Sequence, residues 1–380
     1  MKKLLSLLLS MLLILSALPA LAAQEAVGEA QSLTHEQLVE KAKAEQGTFI
    51  VYGNTSRITT ALEQFSALYD IPGEGNNLKD AEIYTKLEIE IDGKTKGADM
   101  VMIQDGASLD YMLESGYLVN YAPPAIADKL PEEDRNPLVH QFINKVFIYN
   151  NLGENVPAIR NVWQLTEENM KGRILFKNPE SEQVNMNFLV MLTNDRWSGL
   201  LAEAYASHFG KPIELGEYEN AGYMWIAGFL DNCVFGSSDT TLAEEISQPT
   251  AADKIGLFVL SKLRSSSVLT ENLTVGQYDA QENAYAIEPF AGFMYPMYAL
   301  VSSGATRPYT AMLFIDYLMS PEGFEPWGKS IGAYSSNPAL PPLEGDLGIE
   351  VWKNSLVSED PAWILENYED VSTFVTKYVK

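Results

Sequence analysis

Cysteine and histidine are scarce in this sequence: Cys233 is the single cysteine, and the histidines are His35, His140 and His208. One cysteine cannot form an intrachain disulfide, and a zinc site built from several cysteines is excluded as well. The three histidines are scattered over helix-like stretches, which favours surface or packing positions. A mechanism that depends on histidine is therefore not expected.

Positive charge is also scarce. The 380 residues include 26 Lys and Arg against 51 Asp and Glu, which gives a formal net charge of −25. Such a surface repels a polyanion, so nucleic acid is not an expected partner. Hydrophobic residues make up 46% of the chain and charged residues 20%, as is typical of a folded globular protein. The length suffices for two domains with separate cores.

Signatures of catalysis are weak. The His-Glu-x-x-His zinc motif is absent. Gly73-Glu74-Gly75 begins like a dinucleotide-binding fingerprint but lacks the third glycine, and we interpret it as a turn. Acidic residues are numerous, so a carboxylate pair of the kind that glycosidases use remains an alternative.

The N-terminus has the pattern of a cleaved secretory signal peptide, residues 1–22. Lys2 and Lys3 precede an apolar run from Leu4 to Leu18, and Ala20-Leu21-Ala22 forms a small-x-small cleavage site. The run is shorter than the roughly 20 residues that a membrane-spanning helix needs. We therefore expect an exported protein, either periplasmic or extracellular.

Strand-like and helix-like patterns alternate along the mature chain, which predicts an α/β fold. Apolar runs at Thr48 to Tyr52 and Ala98 to Ile103 are strand candidates, and Ile58, Leu62, Phe65 and Leu68 recur at helical spacing. Polar loops follow several strands: Asn54 to Arg57, Gln104 to Gly106, Asn185 to Asn187 and Ser237 to Asp239. In open α/β sheets this edge binds ligands, although the same residue types also cap helices.

Six segments resemble extracellular solute-binding proteins of ABC importers, and most closely the ferric-iron-binding branch. They are Val51 to Arg57, Gly97 to Met102, Val162 to Thr166, Lys171 to Arg173, Asn178-Pro179 and Ala311 to Gly323. The resemblance extends from about Leu33 to the C-terminus. It implies the type 2 periplasmic-binding-protein fold, with two lobes, each a mixed sheet flanked by helices, and a ligand cleft between them. The implied N-terminal lobe comprises residues 33–149 and 289–345, the C-terminal lobe 150–288, and a C-terminal helical segment 346–380.

The resemblance also implies which residues line the cleft. The N-terminal lobe would contribute Asn54, Thr55, Ser56, Arg57, Gln104 and Asp105, the other lobe Asn185, Asn187, Ser261 and Lys262, and the second hinge Tyr295. Iron-binding members typically carry adjacent tyrosines near the last strand end, where this chain has Ser261-Lys262. Ligation of bare ferric ion by an adjacent tyrosine pair is therefore not expected, although Tyr285, Tyr295 and Tyr298 lie near the expected second hinge and could still face the cleft. No metal site is assigned.

The resulting hypothesis is a non-catalytic, monomeric binding protein that delivers a small ligand to an ABC permease of the inner membrane, without a cofactor. Arg57 and Lys262 favour an anionic or polar ligand, an iron complex included, unless they merely pair with surface carboxylates. One alternative is a cation such as a polyamine or thiamine, bound by Asp105 and Asp239 with the aromatic side chains of Tyr223 and Trp225. The other is a secreted α/β hydrolase that uses a carboxylate pair.

Overall fold

The computed structural model describes residues 18–153, 159–276, 278–279, 284–285 and 287–379. Residues 1–17 of the predicted signal peptide lie outside this set, and Ala20 to Ala22 fall within a helix, Leu18–Ala30. No helix in the described part of the chain is long and apolar enough to cross a membrane.

Helices and strands alternate, as the sequence predicted. The helices are α1 Leu18–Ala30, α2 His35–Ala44, α3 Arg57–Tyr69, α4 Asp80–Asp92, α5 Gly106–Glu114, α6 Pro124–Ala127, α7 Glu132–Arg135, α8 Gln183–Met191, α9 Asp195–Phe209, α10 Ala221–Asn232, α11 Asp239–Ile246, α12 Ser267–Asn272, α13 Pro308–Leu318, α14 Pro321–Gly328, α15 Ile349–Ser355 and α16 Pro361–Val375. The strands are β1 Phe49–Gly53, β2 Gly73–Asn77, β3 Met100–Ile103, β4 Leu118–Val119, β5 Val139–Asn150, β6 Ile174–Lys177, β7 Cys233–Gly236, β8 Ile255–Val259, β9 Leu273–Val275, β10 Tyr278–Asp279, β11 Ala284–Tyr285, β12 Gly292–Ser302, β13 Ala333–Ser335 and β14 Val357–Ser358.

The chain forms two compact units. The first contains residues up to Gln141, Pro296–Lys329 and Ser335–Pro341; the second contains Phe142–Tyr295, Ser330–Tyr334 and Pro342–Lys380. Both β5 and β12 run from one unit into the other. The C-terminal helices α15 and α16 belong to the second unit.

In the first unit the strands β1, β2 and β3 are parallel, and the end of β12 joins them in antiparallel register. All four residues of β3 are buried, as expected for a strand covered on both faces. Helix α3 buries Ile58, Leu62 and Phe65 beneath the sheet, where the Phe65 ring lies 5.0 Å from that of Phe314 on α13. The helical spacing of α3 also predicted a buried Leu68, but that side chain is 62% exposed.

The interpretation of Gly73-Glu74-Gly75 as a turn is wrong, because these residues begin β2. Phe49, Ile50 and Val51 of β1 pair with them in parallel register. The strand forms through backbone pairing although its side chains are polar and mostly exposed. A Cβ atom at Gly73 would lie 2.8 Å from Leu62 Cδ1, so the close approach of α3 accounts for the glycine.

In the second unit β7, β6 and β8 are parallel, and β5 pairs with β8 in antiparallel register. Phe188 of α8 stacks on Phe293 at 4.5 Å between ring centroids. Helix α16 packs against α8, and Trp363 of α16 donates its indole N–H to the Val190 carbonyl at 3.2 Å. This core supports the loops that follow the three parallel strands.

Candidate functional site

In the first unit, two of the predicted loops lie side by side. Gly53, the last residue of β1, pairs with Met102 of β3, and the Asn54 backbone N–H donates to the Met102 carbonyl at 3.3 Å. Asn54 and Gln104 therefore follow neighbouring parallel strands at the same sheet edge. This is the juxtaposition that the strand pattern predicted.

Asp80, the first residue of α4, holds these loops together. One carboxylate oxygen accepts from Asn54 Nδ2 at 2.8 Å, and the other accepts from the backbone N–H groups of Gln104 and Asp105, each at 3.1 Å. Sequence analysis missed Asp80 because it follows β2, whose polar sequence gives no strand signal.

Asp105 acts as the N-terminal cap of α5. Its carboxylate accepts from the Ala107 backbone N–H at 3.1 Å and from the Ser108 hydroxyl at 2.6 Å. The side chain is buried, and the Asp105 carbonyl accepts from the Tyr84 hydroxyl at 2.6 Å. These contacts are those of a structural cap, which is the simpler of the two interpretations considered for this loop.

Thr55, Ser56 and Arg57 lie at the start of α3. The Thr55 hydroxyl accepts from the Arg57 backbone N–H at 3.3 Å, while exposed Ser56 makes no side-chain capping bond. Arg57 is half-buried, and burial lowers the pKa of its guanidinium below the usual value. A partly desolvated guanidinium interacts more strongly with an anion than one in bulk water.

The second unit contains a buried charge cluster that sequence analysis missed, centred on Lys145. This residue lies on β5 opposite Val259, the last residue of β8, and its side chain has no solvent exposure. Its ammonium contacts Glu182 Oε1 at 3.0 Å, Asn185 Oδ1 at 2.8 Å and Asp239 Oδ2 at 3.4 Å. Of the predicted residues, Asn185 belongs to this cluster. Asp239, weighed for a cationic ligand, belongs to it too.

The cluster lies where parallel strands end and helices begin. Lys177 is the last residue of β6, Glu182 precedes α8, and Asp239 is the first residue of α11. Lys177 donates to the second Glu182 oxygen, and its carbonyl accepts from Asn185 Nδ2 at 2.8 Å. Burial alone would raise the pKa of Glu182, but the charges of Lys145 and Lys177 bring it below its usual value. Glu182 is therefore ionised at neutral pH.

Three polar atoms at this edge have no hydrogen-bond partner among the described residues. They are both amide atoms of Asn144, whose residue is 1% exposed, and Asp239 Oδ1. A Cβ atom at Gly332, where φ is +77°, would lie 2.5 Å from Asn144 Oδ1, so the glycine backbone closely approaches this amide. Because buried polar groups are nearly always paired, orphaned ones mark candidate contacts for a polar ligand. Asp239 Oδ1 belongs to the Lys145 cluster, whereas Asn144 precedes Lys145 in β5 and its side chain points to the opposite face of the strand.

The remaining predicted residues lie outside these contacts. Asn187 is buried and ties α8 to the chain before α16, since it donates to Glu359 at 3.0 Å and accepts from Gln183 at 3.1 Å. Ser261 and Lys262 are half-buried in a short 3-10 helix, Leu260–Arg264, directly after β8. Tyr295 is buried in β12, with its ring 6.1 Å from that of Phe293.

The aromatic residues considered for a cationic ligand pack in the second unit. Trp225 is fully buried, stacks on Phe229 at 4.6 Å and donates to the Val162 carbonyl at 3.0 Å. The Tyr223 ring lies 5.0 Å from that of Phe374. The packing role that the sequence favoured for Trp225 is confirmed, and Trp225 offers no free ring face to a cation.

Metal-binding side chains do not converge in the part of the chain that is described: no group of three or more His, Cys, Asp or Glu is placed to hold an ion. His140 lies in the core of the first unit, 4.8 Å from the Trp327 ring, and burial lowers its pKa to about 3. His208 contacts Glu167 at 2.7 Å. The packing role expected for His140 is confirmed.

Two short sequences match catalytic motifs but do not adopt the local structure that those motifs require. Gly323 to Ser330 fits the Gly-x-x-x-x-Gly-Lys-Ser pattern of phosphate loops, and Gly328 to Gly332 fits Gly-x-Ser-x-Gly. Both motifs need a loop between a strand and a helix. Here Gly323 to Gly328 lie inside α14, and Lys329 pairs with Glu325 of the same helix. Neither a phosphate cradle nor a nucleophile elbow is formed.

Solved structures match this chain over most of its length. Iron-bound HitA from Pseudomonas aeruginosa aligns with a TM-score of 0.65 at 14% identity, over 88% of this chain and 99% of that one. FutA from Trichodesmium, in complex with iron and citrate, aligns at 0.61 and 16% identity, over 88% and 100%. An ABC transporter protein from Clostridium perfringens aligns at 0.57 and 12% identity, over 87% and 100%.

These similarities show the fold. The α/β fold of type 2 periplasmic binding proteins, which the resemblance implied, is confirmed. No family model and no curated protein matches the sequence.

Proposed function

We propose that this protein is an exported, non-catalytic solute-binding protein that captures a small polar or anionic ligand and delivers it to an ABC import permease. The proposal rests on the Lys145 cluster, with its unpaired Asp239 oxygen, and on the orphaned amide of Asn144, the preceding residue of β5. Both lie at the carboxyl edge of parallel strands, where open α/β sheets bind ligands. A ligand that pairs with the orphaned atoms would remove the cost of burying them.

The fold supports the same conclusion. Proteins of this fold include the iron-bound HitA, the FutA complex with iron and citrate, and an ABC transporter protein. Iron complexes and carboxylated anions therefore belong among the ligands to test. The predicted signal peptide, residues 1–22, supports capture of the ligand outside the cytoplasm.

The expected sign of the ligand depends on Arg57 and Lys262. The cluster itself is balanced, since Lys145 and Lys177 face Glu182 and Asp239. Arg57 and Lys262 are half-buried and follow the ends of β1 and β8, respectively. We infer that these two cations select an anion.

The hydrolase alternative receives less support from the same cluster. Glu182 and Asp239 form a close carboxylate pair, but both contact the ammonium of Lys145. A glycosidase needs one carboxyl group with a raised pKa as its acid, whereas the pKa of Glu182 is lowered against the effect of burial by Lys145 and Lys177. The pair is therefore suited to holding a lysine.

The proposed lobes, 33–149 with 289–345 and 150–288, would close on a ligand that contacts both. Small-angle X-ray scattering of the mature chain, with and without ligand, tests this part. A smaller radius of gyration in the presence of ligand is expected, and an unchanged radius at saturation would contradict closure.

The ligand can be identified by mass spectrometry of molecules released from the purified protein, with citrate, ferric citrate, phosphate, spermidine and thiamine as reference solutes. Calorimetric titration then compares Arg57→Ala and Lys262→Ala with the surface controls Arg173→Ala and Lys171→Ala. Each cleft variant should weaken anion binding by about one to two powers of ten, since a charge-assisted hydrogen bond contributes roughly 1.5–3 kcal/mol. Unchanged affinity would indicate surface pairing, and tighter binding of spermidine or thiamine would indicate a cationic ligand.

A further inference from the structure

The first unit contains a cavity of about 560 Å³ that the proposed function does not use. It lies where α3 ends at Tyr69, α13 ends near Asp316 and Tyr317, and α14 begins at Pro321. Its volume falls within the range of small-molecule sites, roughly 300–1,000 Å³. The lining is mainly apolar, and the exposed side chain of Leu68 forms part of it.

One carboxylate defines the polarity of this cavity. Asp316 accepts a hydrogen bond from the hydroxyl of buried Tyr121 at 3.0 Å. No Lys or Arg is among the described residues that line the cavity, and the other charged or chargeable groups there are His35, Glu322 and the two tyrosines. Glu322 is exposed, so half-buried Asp316 is the carboxylate that lies in apolar surroundings, and it attracts a cation that can bring its own apolar surface.

Aromatic walls complete the arrangement. The rings of Tyr69 and Tyr317 pack on Phe65 at 4.9 and 5.6 Å between centroids. Packing on the core fixes both rings at the cavity, where ring faces can attract an ammonium group. The charge and the lining favour an organic cation over a hydrated metal ion, because most of the surface offers no oxygen ligand.

We propose that this cavity is a second ligand site, which binds a small organic cation with an apolar body and holds its ammonium group on Asp316. The site is independent of the Lys145 cluster and of the solute that the cluster would bind. Its ligand differs in sign from the anion expected there.

Benzylammonium is a suitable probe, with benzyl alcohol as the neutral analogue and phenylacetate as the anionic one. Calorimetry on the full mature chain should detect benzylammonium and show at least about tenfold weaker binding of both analogues. Asp316→Asn should weaken benzylammonium binding about tenfold or more, whereas Asp110→Asn, on the exposed surface of α5, should leave it unchanged. Equal binding of benzyl alcohol, equal affinity in both variants, or no binding of benzylammonium at millimolar concentration would overturn the proposal.

Asp316→Asn is expected to fold, because the amide oxygen still accepts from Tyr121 and a buried charge is removed. Tyr69→Ala provides a second test through the aromatic wall and should weaken binding several-fold, while Tyr69→Phe should retain it. If Asp316→Asn does not fold, the affinities of Tyr69→Ala and Tyr69→Phe for benzylammonium test the site instead. Equal affinity in Tyr69→Ala and Tyr69→Phe would then contradict the site.

The pH dependence gives a further readout. Burial raises the pKa of Asp316 to about 7, with the Tyr121 hydroxyl acting against it. Affinity for benzylammonium should therefore rise from about pH 5.5 to 8, as Asp316 ionises. His35 also lines the cavity, so His35→Gln is compared with Asp316→Asn. The rise should persist in His35→Gln and flatten in Asp316→Asn, and the reverse result would assign it to His35.

Discussion

The two sheet-edge clusters are built differently although both follow strand ends. In the first unit the carboxylate of Asp80 accepts from backbone N–H groups of Gln104 and Asp105 and from the amide of Asn54. In the second unit Lys145 contacts the side chains of three residues. The first cluster fixes loops through the backbone, and the second buries a charge.

The clusters also differ in what they leave unpaired. Among the described residues, Asn54 Oδ1 is the unpaired buried atom beside Asp80, whereas the Lys145 edge has both amide atoms of Asn144 and one oxygen of Asp239. Paired backbone contacts position a loop and need no ligand. Unpaired atoms beside a buried charge network cost stability, which a protein can tolerate where a ligand supplies the partners. We therefore propose that the first cluster supports its loops and that the second contacts the ligand directly.

The largest effect on the free energy of unfolding is expected from Lys145→Met. Removing the ammonium leaves Asp239 partly buried without its cation and leaves Glu182 with Lys177 alone, which should lower the free energy of unfolding by about 3 kcal/mol. Urea unfolding at pH 7 measures this loss of stability. Lys171→Met, which breaks an exposed pair with Asp231, should leave the free energy of unfolding nearly unchanged. Equal effects of the two substitutions would show that Lys145 is no buried-charge centre.

Asp80→Ala should have a smaller effect. Three donors lose their acceptor, but water can reach this half-buried group, so the free energy of unfolding should fall by about 1–2 kcal/mol. The exposed Asp110→Ala serves as the control. Ligand affinity should fall by less than about threefold, because Asp80 acts through the backbone. A loss of affinity larger than the loss of stability would reverse the roles of the two clusters.

The sequence predicted the first cluster better than the second. β1 and β3 are short apolar runs, so the loops at Asn54 and Gln104 could be placed at strand ends. Asp80 could not be predicted, because β2 forms through backbone pairing with β1 and has no hydrophobic pattern of its own. Local sequence carries no signal for a strand of that kind.

The Lys145 cluster could not be predicted for a different reason. Within the strand pattern a lysine resembles a polar strand end, and its partners Glu182 and Asp239 are distant in the sequence. Only the tertiary fold brings them together. Leu68 shows the converse: its helical spacing predicts burial, but the last turn of α3 extends to the cavity edge and leaves it exposed.

The smallest effect on stability, and the sharpest test of the comparison, is expected from Asn144→Ala. Its amide makes no hydrogen bond to any described residue, so the free energy of unfolding should change by less than about 0.5 kcal/mol. Ligand affinity should nevertheless fall about tenfold, because the ligand loses its partner. Asn187→Ala is the matched control, since Asn187 is equally buried but bonded to Glu359 and Gln183. It should lower stability by about 1–2 kcal/mol and leave affinity nearly unchanged. If Asn144→Ala behaves like Asn187→Ala, the amide of Asn144 is structural and the second cluster supports its loops as the first one does.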